Sequence, residues 1–490
     1  PDAQARDANH ITQWTALGDI MQLRGVVREV RALVPSNRDT VSMQGILQMM
    51  QNYGGEVSTR RFDVFTRLQV LCEQWWQAAY GPCGSMQLVS VGSFAVGADF
   101  AVDDIDVVVT AGCIAPGTET IQSLMRYLAV EGADAIRFVA AANGRRMLCL
   151  KLDGIDIDML FSSLPIPPAT ELMIRSCDSK RTAMARAKAD TVDIPELSII
   201  RDAVTIKIVL ATLPAIVTQV LRFIKLWAKA RCIYDNKLGY LGGSGWTVMV
   251  LHVALELGSA GCQTAPGLLR AFFAQYATQA SYPIGIALQA CGWTGAKVTP
   301  SEQAVRDLRR TGLSILTASP SRVDGTHDNI ARNSTASTAA RVWTELRQAH
   351  EYVSVATKDE ESFFRRVGPT LLQPLSKADI QRDFDAVLRI SLHASVSLDT
   401  IALLDSRLVH LSLQLEGSAP VGTICVVPLP ARKLRAKPTL RLAVRLKDRV
   451  LDQVEEIETL ANAWLETTLR GALDEVDSTK LVPLQFVKTN

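Results

Sequence analysis

The chain has 490 residues, enough for about three domains at the usual roughly 100 to 200 residues each, and its 48% hydrophobic and 21% charged content excludes disordered and fibrous classes. With 52 basic and 50 acidic residues the formal charge is only +2, so any nucleic-acid surface must come from local clustering of charge. No apolar run reaches the roughly 18 to 20 residues that span a bilayer; the richest, Ile208 to Val220, is interrupted by Thr212, Pro214 and Thr218, which argues against a membrane protein.

The polar start, Pro1 to His10, has no apolar signal core and reads as a processed end. Apolar residues at helical spacing predict helices within Gln13 to Leu47 and over Phe62 to Ala79. From Met86 the pattern turns to short β-type runs at Met86 to Val91, Ile105 to Thr110, Ile136 to Ala140, Met147 to Leu152 and Ile155 to Phe161, with a helix around Ile121 to Leu128. The Pro165-Ile166-Pro167-Pro168 segment marks the exit from this mixed domain. Helical patterns dominate from Ser198 to about Gln279, and a Gly/Pro/Ser/Thr-rich region, Lys297 to Thr338, precedes a helix near Ala339 to Glu351. Beyond it, Ile380 to Leu388 reads as a helix, Arg389 to Leu398, Val409 to Leu415, Thr423 to Val427 and Thr439 to Leu446 as strands, and Leu451 to Leu469 as a closing helix. The nine cysteines include no CxxC pair, which argues for a reducing compartment and against a disulfide scaffold or thiolate zinc site. The six histidines are dispersed, which disfavours histidine-based metal or triad chemistry.

The sharpest signal is Val91-Gly92-Ser93-Phe94 followed by Asp104-Ile105-Asp106-Val107-Val108-Val109. In a strand, alternate residues share a face, so Asp104 and Asp106 project together while Ile105 and Val107 point into the core. Two adjacent carboxylates repel unless a cation neutralises them, and hard oxygen ligands suit Mg²⁺ (or Mn²⁺), which also takes phosphate oxygens. Gly92 lets the backbone approach a phosphate, and Ser93 can donate its hydroxyl and N–H. A second acidic strand, Gly154-Ile155-Asp156-Ile157-Asp158, offers a third carboxylate; periodicity puts Asp156 and Asp158 on one face and does not choose between them. Either acidic pair alone is common at solvated strand ends. Together with Gly-Ser they point to nucleotidyl transfer by two metal ions.

Two basic groupings stand out. Arg222, Lys225 and Lys229 form a stripe at helical spacing beside an apolar face, which is also what a solvated helix face looks like. Between Arg432 and Arg449, eight basic residues face one acid, Asp448. Leu440, Leu442, Val444 and Leu446 alternate there with Arg441, Ala443, Arg445 and Lys447, so a strand would bury the first set and display Arg441, Arg445 and Lys447 to RNA; an edge strand guarded by charge is the alternative.

Gly92-Ser93, Asp104-Ile105-Asp106 and Gly154-Ile155-Asp156-Ile157-Asp158 resemble the catalytic core of the nuclear-type eukaryotic poly(A) polymerases, within the polymerase β-like nucleotidyltransferase superfamily. Leu221 to Lys229 and Ile233-Tyr234-Asp235-Asn236-Lys237-Leu238-Gly239-Tyr240-Leu241-Gly242-Gly243 resemble the family's central-domain signature; Asn333-Ser334-Thr335 with Arg341 resembles a weaker motif, and Phe363-Phe364 opens what looks like its C-terminal RNA-binding domain. The resemblance implies an α+β multidomain protein: an N-terminal helical segment (1–54) packing with the central domain, a polymerase β-like nucleotidyltransferase catalytic domain (55–168), a helical central domain (169–355) and a C-terminal RNA-recognition-like α/β domain (356–490). It implies template-independent addition of AMP from ATP to an RNA 3′ end, with Asp104, Asp106 and Asp158 as catalytic metal ligands and Gly92, Ser93, Phe94, Lys225, Tyr234, Gly242, Gly243 and Ser244 at the nucleotide. It further implies a nuclear monomer working with 3′-processing proteins.

Several positions depart from the family pattern. Asp103 stands where the family has a small residue, and its strand parity suits a solvent or capping role. Asp156 replaces a Glu, Ala95 an Arg, Cys149 a Lys, Ser244 a Val and Val204 an Asn. Val204 and Ser244 keep a terminal uridylyltransferase as the alternative activity, and a non-catalytic RNA-binding scaffold is the other rival.

Overall fold

A computed structural model describes residues 57–81, 86–100, 103–111, 117–140, 146–162, 195–286, 298–322, 325–355, 360–391, 398–417, 424–434, 437–446, 457, 459–464, 467 and 485–488. The helices expected within Gln13 to Leu47, the proline segment at Pro165 to Pro168 and Lys447 lie outside these residues.

Helix α1 (Val57–Tyr80) carries Val64, Leu68, Leu71, Cys72, Trp75 and Trp76 on one buried side. Strand β1 (Met86–Ser90), the single turn α2 (Gly92–Ala95), β2 (Ile105–Ala111), α3 (Thr118–Val130), β3 (Asp134–Ala140), β4 (Arg146–Leu152) and β5 (Ile155–Phe161) follow. They build a five-stranded sheet of order β1-β2-β5-β4-β3, in which β2 and β5 run parallel and the other pairs antiparallel. Alternation divides this sheet. Ile105, Val107, Val109, Leu148, Leu150, Ile157, Met159 and Phe161 pack with α1 and α3, while Val89, Val91 and Val108 meet Ile200 and Ala203 of α4 (Pro195–Thr212) on the other side.

Next come α5 (Ile216–Ala230), a 3-10 turn (Asn236–Leu238), α6 (Gly243–Gly261) and α7 (Ala265–Gln275). Helix α5 is buried over much of its surface from Val217 to Ala230, Lys225 included. Its Trp227 stacks edge-on with Trp246 of α6 at 5.6 Å and Phe273 of α7 at 5.0 Å, the offset geometry that aromatic quadrupoles favour. Helix α8 (Glu302–Thr311) falls in the stretch expected to be only turn-rich. It is held at its ends, where Ser301 Oγ accepts from Ala304 N–H and Gly312 closes the helix in the left-handed region. Helix α9 (Ala336–Ser354) starts at a capping box formed by Thr335 and Thr338.

The C-terminal part has α10 (Glu360–Leu371), α11 (Lys377–Asp383), β6 (Ala386–Ser391), α12 (Leu398–Gly417), β7 (Ile424–Leu434), β8 (Lys437–Leu446) and β9 (Gln485–Lys488). Two expectations are corrected here. Val409 to Leu415 is no strand but part of α12: the buried residues are Leu404, Leu408, Leu411 and Leu415, at helical spacing, and Leu413 is exposed, so the local alternation was accidental. The expected helix over Ile380 to Leu388 ends at Asp383, and β6 begins at Ala386.

The second sheet has order β7-β8-β6-β9 and is antiparallel throughout. Leu388, Ile390, Val426, Leu440, Leu442 and Val444 join one continuous core with α12 and the helices α5 to α7. The opposite face is also covered: Val387, Val427, Leu429 and Ala443 pack under Leu375, Ile380 and Phe384. Strand β8 is therefore interior, paired on both sides, and the edge-guarding alternative does not apply to it. Arg441 is buried beneath this cover rather than displayed, while Arg445 is exposed. Among the described residues the expected basic face is reduced to Arg445.

Candidate active site

The acidic cluster is a product of strand register. Parallel pairing sets Asp106 of β2 directly beside Asp158 of β5, and Asp104 enters just before β2. One carboxylate oxygen from each of Asp104, Asp106 and Asp158 lies within 4.8 Å of the others, with Asp104 exposed and the other two half-buried. Asp156, the alternative that periodicity left open, is elsewhere: it pairs with Lys151 at 3.6 Å. Desolvation and the charges of Asp104, Asp158 and Asp103 push the Asp106 carboxyl well above its usual range. Desolvation with Asp158 and Asp103 raises Asp104 as well. Three crowded hard oxygens with unrelieved repulsion fit a divalent cation.

Gly92 supplies the close floor of this cluster. Its φ is +63°, and a Cβ built on it would stand 2.2 Å from Asp106 Oδ2, so any side chain there would collide with the carboxylate while straining the backbone. Ser93 follows in α2, beside the acids. Phe94 packs toward α1: its ring sits 5.7 Å from Phe65 and under the Arg61 guanidinium at 5.6 Å.

The central-domain block meets the acidic loop through α5. Lys225 is 1% exposed; its Nζ donates to the Ala98 carbonyl at 2.7 Å and lies 3.4 Å from Asp103. Lys229 donates to Asp103 at 2.7 Å, and Arg222 Nε donates to the Gly97 carbonyl at 3.0 Å. Of the solvent or capping role expected of Asp103, the solvent half is corrected: it forms the contact between the acid-bearing loop and α5, while it caps its own loop by accepting from Phe100 N–H at 3.1 Å. Burial alone would raise the Asp103 carboxyl, but Lys229 and Lys225 outweigh it and hold it well below the usual range. Burial pushes the Lys225 ammonium below its usual value.

Tyr234 stands beside these lysines, its ring 5.3 Å from Lys229 Nζ. A Cβ on Gly243 would be 3.0 Å from Tyr234 Oη and 3.9 Å from Lys225 Cε, so the Gly242-Gly243 start of α6 lets tyrosine, lysine and helix meet. Ser244 is exposed on that first turn. Val204 packs with Val89, Val91 and Val108 against the sheet. Cys149, cross-strand from Asp158, is pushed up to about 12 by burial, by the Asp158 charge and by a hydrogen bond to that carboxylate.

Two residues had no role in the sequence reading, one of them inside the quoted motif. Arg61, fully buried, donates to the carbonyls of Phe100 (2.6 Å), Asp103 and Asp104 (2.8 Å) and pairs with Asp99 at 3.2 Å, fixing the loop that presents the acids. Its signal was an arginine at helical spacing with Val64 and Leu68 on an otherwise apolar face. Lys237, in the 3-10 turn, is exposed, and its charge acts on both Asp104 and Asp158.

Residues 216–365 match the family model described as the poly(A) polymerase central domain. That match covers the central helices α5 to α9 and not the sheet that carries the acids. The chain is similar to the poly(A) polymerase PAPalpha of Candida albicans, 24% identical over 247 residues that make up 47% of this chain and 42% of the relative. To the nuclear poly(A) polymerase 1 of Arabidopsis thaliana it is 25% identical over 266 residues, 50% of this chain and 34% of the relative. The matches thus span less than half the length of these curated relatives. A solved cytoplasmic RNA terminal U-transferase is 16% identical, with a TM-score of 0.43 over 68% of this chain and 97% of that one. The architecture is α+β, with a five-stranded sheet carrying the acids and the segment that matches the poly(A) polymerase central domain joined to the acidic loop through Asp103.

Proposed function

We propose that this protein is a template-independent RNA 3′-end nucleotidyltransferase that adds AMP from ATP. The observation that carries the reading is the gathering of Asp104, Asp106 and Asp158 within 4.8 Å opposite a segment that matches the poly(A) polymerase central domain. In the reaction, the terminal 3′-oxygen forms a bond to the α-phosphorus, the bond to the α–β bridging oxygen breaks, and pyrophosphate and the hydroxyl proton leave. Asp104, Asp106 and Asp158 would hold Mg²⁺ or Mn²⁺. When bound, such ions neutralise charge on the reacting phosphates and acidify the attacking hydroxyl.

The remaining work falls to the chain itself. Gly92 and Ser93 offer open backbone and a hydroxyl to phosphate oxygens beside the acids. Tyr234, Gly242, Gly243 and Ser244 form the opposite wall for the nucleoside. Arg61 and the Asp103–Lys225–Lys229 contact keep the acidic loop and α5 in fixed relation, which is how a positioning enzyme converts binding into rate. Val204, packed on the sheet, gives no cleft feature that favours uridine. Arg445 is the described candidate for an RNA backbone contact, and the nuclear plant relative supports nuclear residence.

Extension of a short RNA primer with each of the four nucleoside triphosphates in Mg²⁺ tests the reading. ATP-preferring extension that Asp158→Ala abolishes is expected. A preference for UTP overturns the adenylyl assignment, and the absence of extension with every nucleotide overturns the transferase.

A further inference from the structure

Three segments converge at the C-terminal end of α8. Asn329 Nδ2 donates to the buried Asp307 at 3.2 Å and Arg310 Nη2 donates to the Arg332 carbonyl at 3.4 Å, so residues 329–332 lie along the helix. Beyond its last turn, the Gly312 carbonyl accepts from Gln279 Nε2 at 3.4 Å and from Trp343 Nε1 at 2.9 Å, and the Ser314 carbonyl accepts from Ile284 N–H at 2.9 Å. Residues 279–284 are thereby clasped to the same end, and α9 backs it.

Charge and aromatic surface gather there. Arg306, Arg309 and Arg310 stand three and four residues apart on the exposed side of α8, and Arg332 is exposed next to them. Tyr282, in the clasped loop, is 47% exposed. The acids nearby are engaged: Asp307 is buried and holds Gln303, Asn329 and Arg310, Glu416 accepts from Thr335 at 2.9 Å, and Glu302 pairs with Arg306 at 3.4 Å. Among the described residues Arg309 and Arg332 have neither an ion pair nor a side-chain hydrogen bond. The macrodipole of α8 favours cations in its last turn. It gives no reason for Arg332, which stands three residues ahead of Thr335, the N-cap of α9.

Contacts run from this surface to the acidic loop. Asn333, the next residue after Arg332, donates from Nδ2 to the Asn236 carbonyl at 3.3 Å. The 3-10 turn that Asn236 opens follows Tyr234, whose ring lies 5.3 Å from Lys229 Nζ. Lys229 in turn holds Asp103, the chain neighbour of Asp104.

We propose that the end of α8, with Arg309, Arg332 and Tyr282, is a binding surface for single-stranded RNA upstream of its 3′ end. The inference rests on the RNA 3′-end transferase reading above. Guanidinium groups take phosphate oxygens through two parallel hydrogen bonds, and an exposed tyrosine ring offers a face on which a base stacks. Cations along the backbone together with an aromatic platform hold single strands without reading sequence.

The test is equilibrium titration of the full chain with a single-stranded oligoadenylate over a range of salt concentrations, alongside titration with a non-hydrolysable ATP analogue and thermal unfolding. Arg309→Ala/Arg332→Ala is expected to weaken RNA binding and to lower the log–log salt slope by about 1.4, from two contacts of about 0.7 each, and Arg309→Lys/Arg332→Lys to recover the slope. Tyr282→Leu is expected to weaken RNA about tenfold at unchanged slope. Affinity for the ATP analogue and the unfolding midpoint should stay at their wild-type values in all three variants. Wild-type RNA affinity and slope in Arg309→Ala/Arg332→Ala overturn the proposal. So does wild-type RNA binding with loss of binding to a polyglutamate peptide, which would make the surface a dock for an acidic protein segment. A lowered slope in a protein whose wild type extends no RNA sustains the surface and rejects the transferase. A wild-type slope in a variant that extends RNA normally rejects the surface and sustains the transferase.

Discussion

Asp103→Asn isolates the contact on which the cleft is assembled. In the wild type this carboxylate is 9% exposed and faces two ammonium groups, Lys229 at 2.7 Å and Lys225 at 3.4 Å, that are 12% and 1% exposed. Asparagine keeps the shape and the acceptor for Phe100 N–H but removes the charge. Breaking a buried pair by deleting one partner costs about 3 to 5 kcal/mol, because the other charge is left uncompensated. Lys229 can turn toward solvent and Lys225 can shed its proton, so the lower end, about 3 kcal/mol, is expected. Urea unfolding followed by tryptophan fluorescence reports on this region, since Trp227 lies two residues from Lys225 on α5 and in the same core as Trp246. Adding Lys225→Met to Asp103→Asn should return part of the loss, because it removes the orphaned charge, giving a coupling of about 1 to 3 kcal/mol in a double-mutant cycle. A loss below about 1 kcal/mol for Asp103→Asn, or additivity of the two changes, would refute the claim that this triad is a buried ionic contact.

Asp106→Asn should raise the unfolding midpoint in chelator by relieving carboxylate repulsion, while abolishing the rise that Mg²⁺ produces in the wild type; scanning fluorimetry with and without Mg²⁺ checks both, and a wild-type response would remove Asp106 from the metal site. Arg441→Ala should lower stability because the side chain is buried in an interior strand, whereas Arg445→Ala should spare stability and reduce the log–log salt slope of RNA binding by about 0.7. The reverse pattern in unfolding and filter-binding assays would restore the basic-face picture. Asp202 is pushed up to about 6 by burial, against the hydrogen bonds from Ser319. An acid whose folded pKa exceeds its unfolded value of 3.8 binds its proton more tightly when folded, so its contribution to stability falls as pH rises from about 4 to about 6, by about 3 kcal/mol in all. Asp202→Asn should flatten that limb of a stability–pH curve, and an unchanged slope would reject the shift.

Much of the first domain is legible locally because its information is local. The β-type runs from Met86 to Phe161 all form the strands read from them, since each alternates against a covered face or runs apolar through the sheet. Asp104 and Asp106 share a side for the same reason. Periodicity alone could not choose between Asp156 and Asp158, which the family resemblance did, because both obey one parity; in the structure the parallel register of β2 with β5 sets Asp158 beside Asp106. The C-terminal errors have a similar origin. A seven-residue window over Val409 to Leu415 alternates, and only the longer spacing of Leu404, Leu408, Leu411 and Leu415 reveals the helix. Arg441 obeys strand parity too, but parity says which residues share a face and not whether another layer covers it.

The same distinction governs the electrostatics of the site. Arg222, Lys225 and Lys229 at helical spacing were equally compatible with a solvated stripe and with a phosphate grip. In the structure Lys225 pairs with an acid 122 positions earlier in the chain. That pairing depends on Asp103 turning away from Asp104, a one-residue alternation that separates an acid facing the cleft from one neutralising α5. Adjacent aspartates of identical chemistry thus end with opposite consequences: burial between lysines holds Asp103 charged, while crowding by like charge leaves Asp104 and Asp106 in need of a cation. A catalytic site of this kind requires both conditions at once, since unpaired acids can be tolerated only on a loop whose position does not depend on them. Arg61 and the Asp103 contact supply that independence from the two sides of the loop.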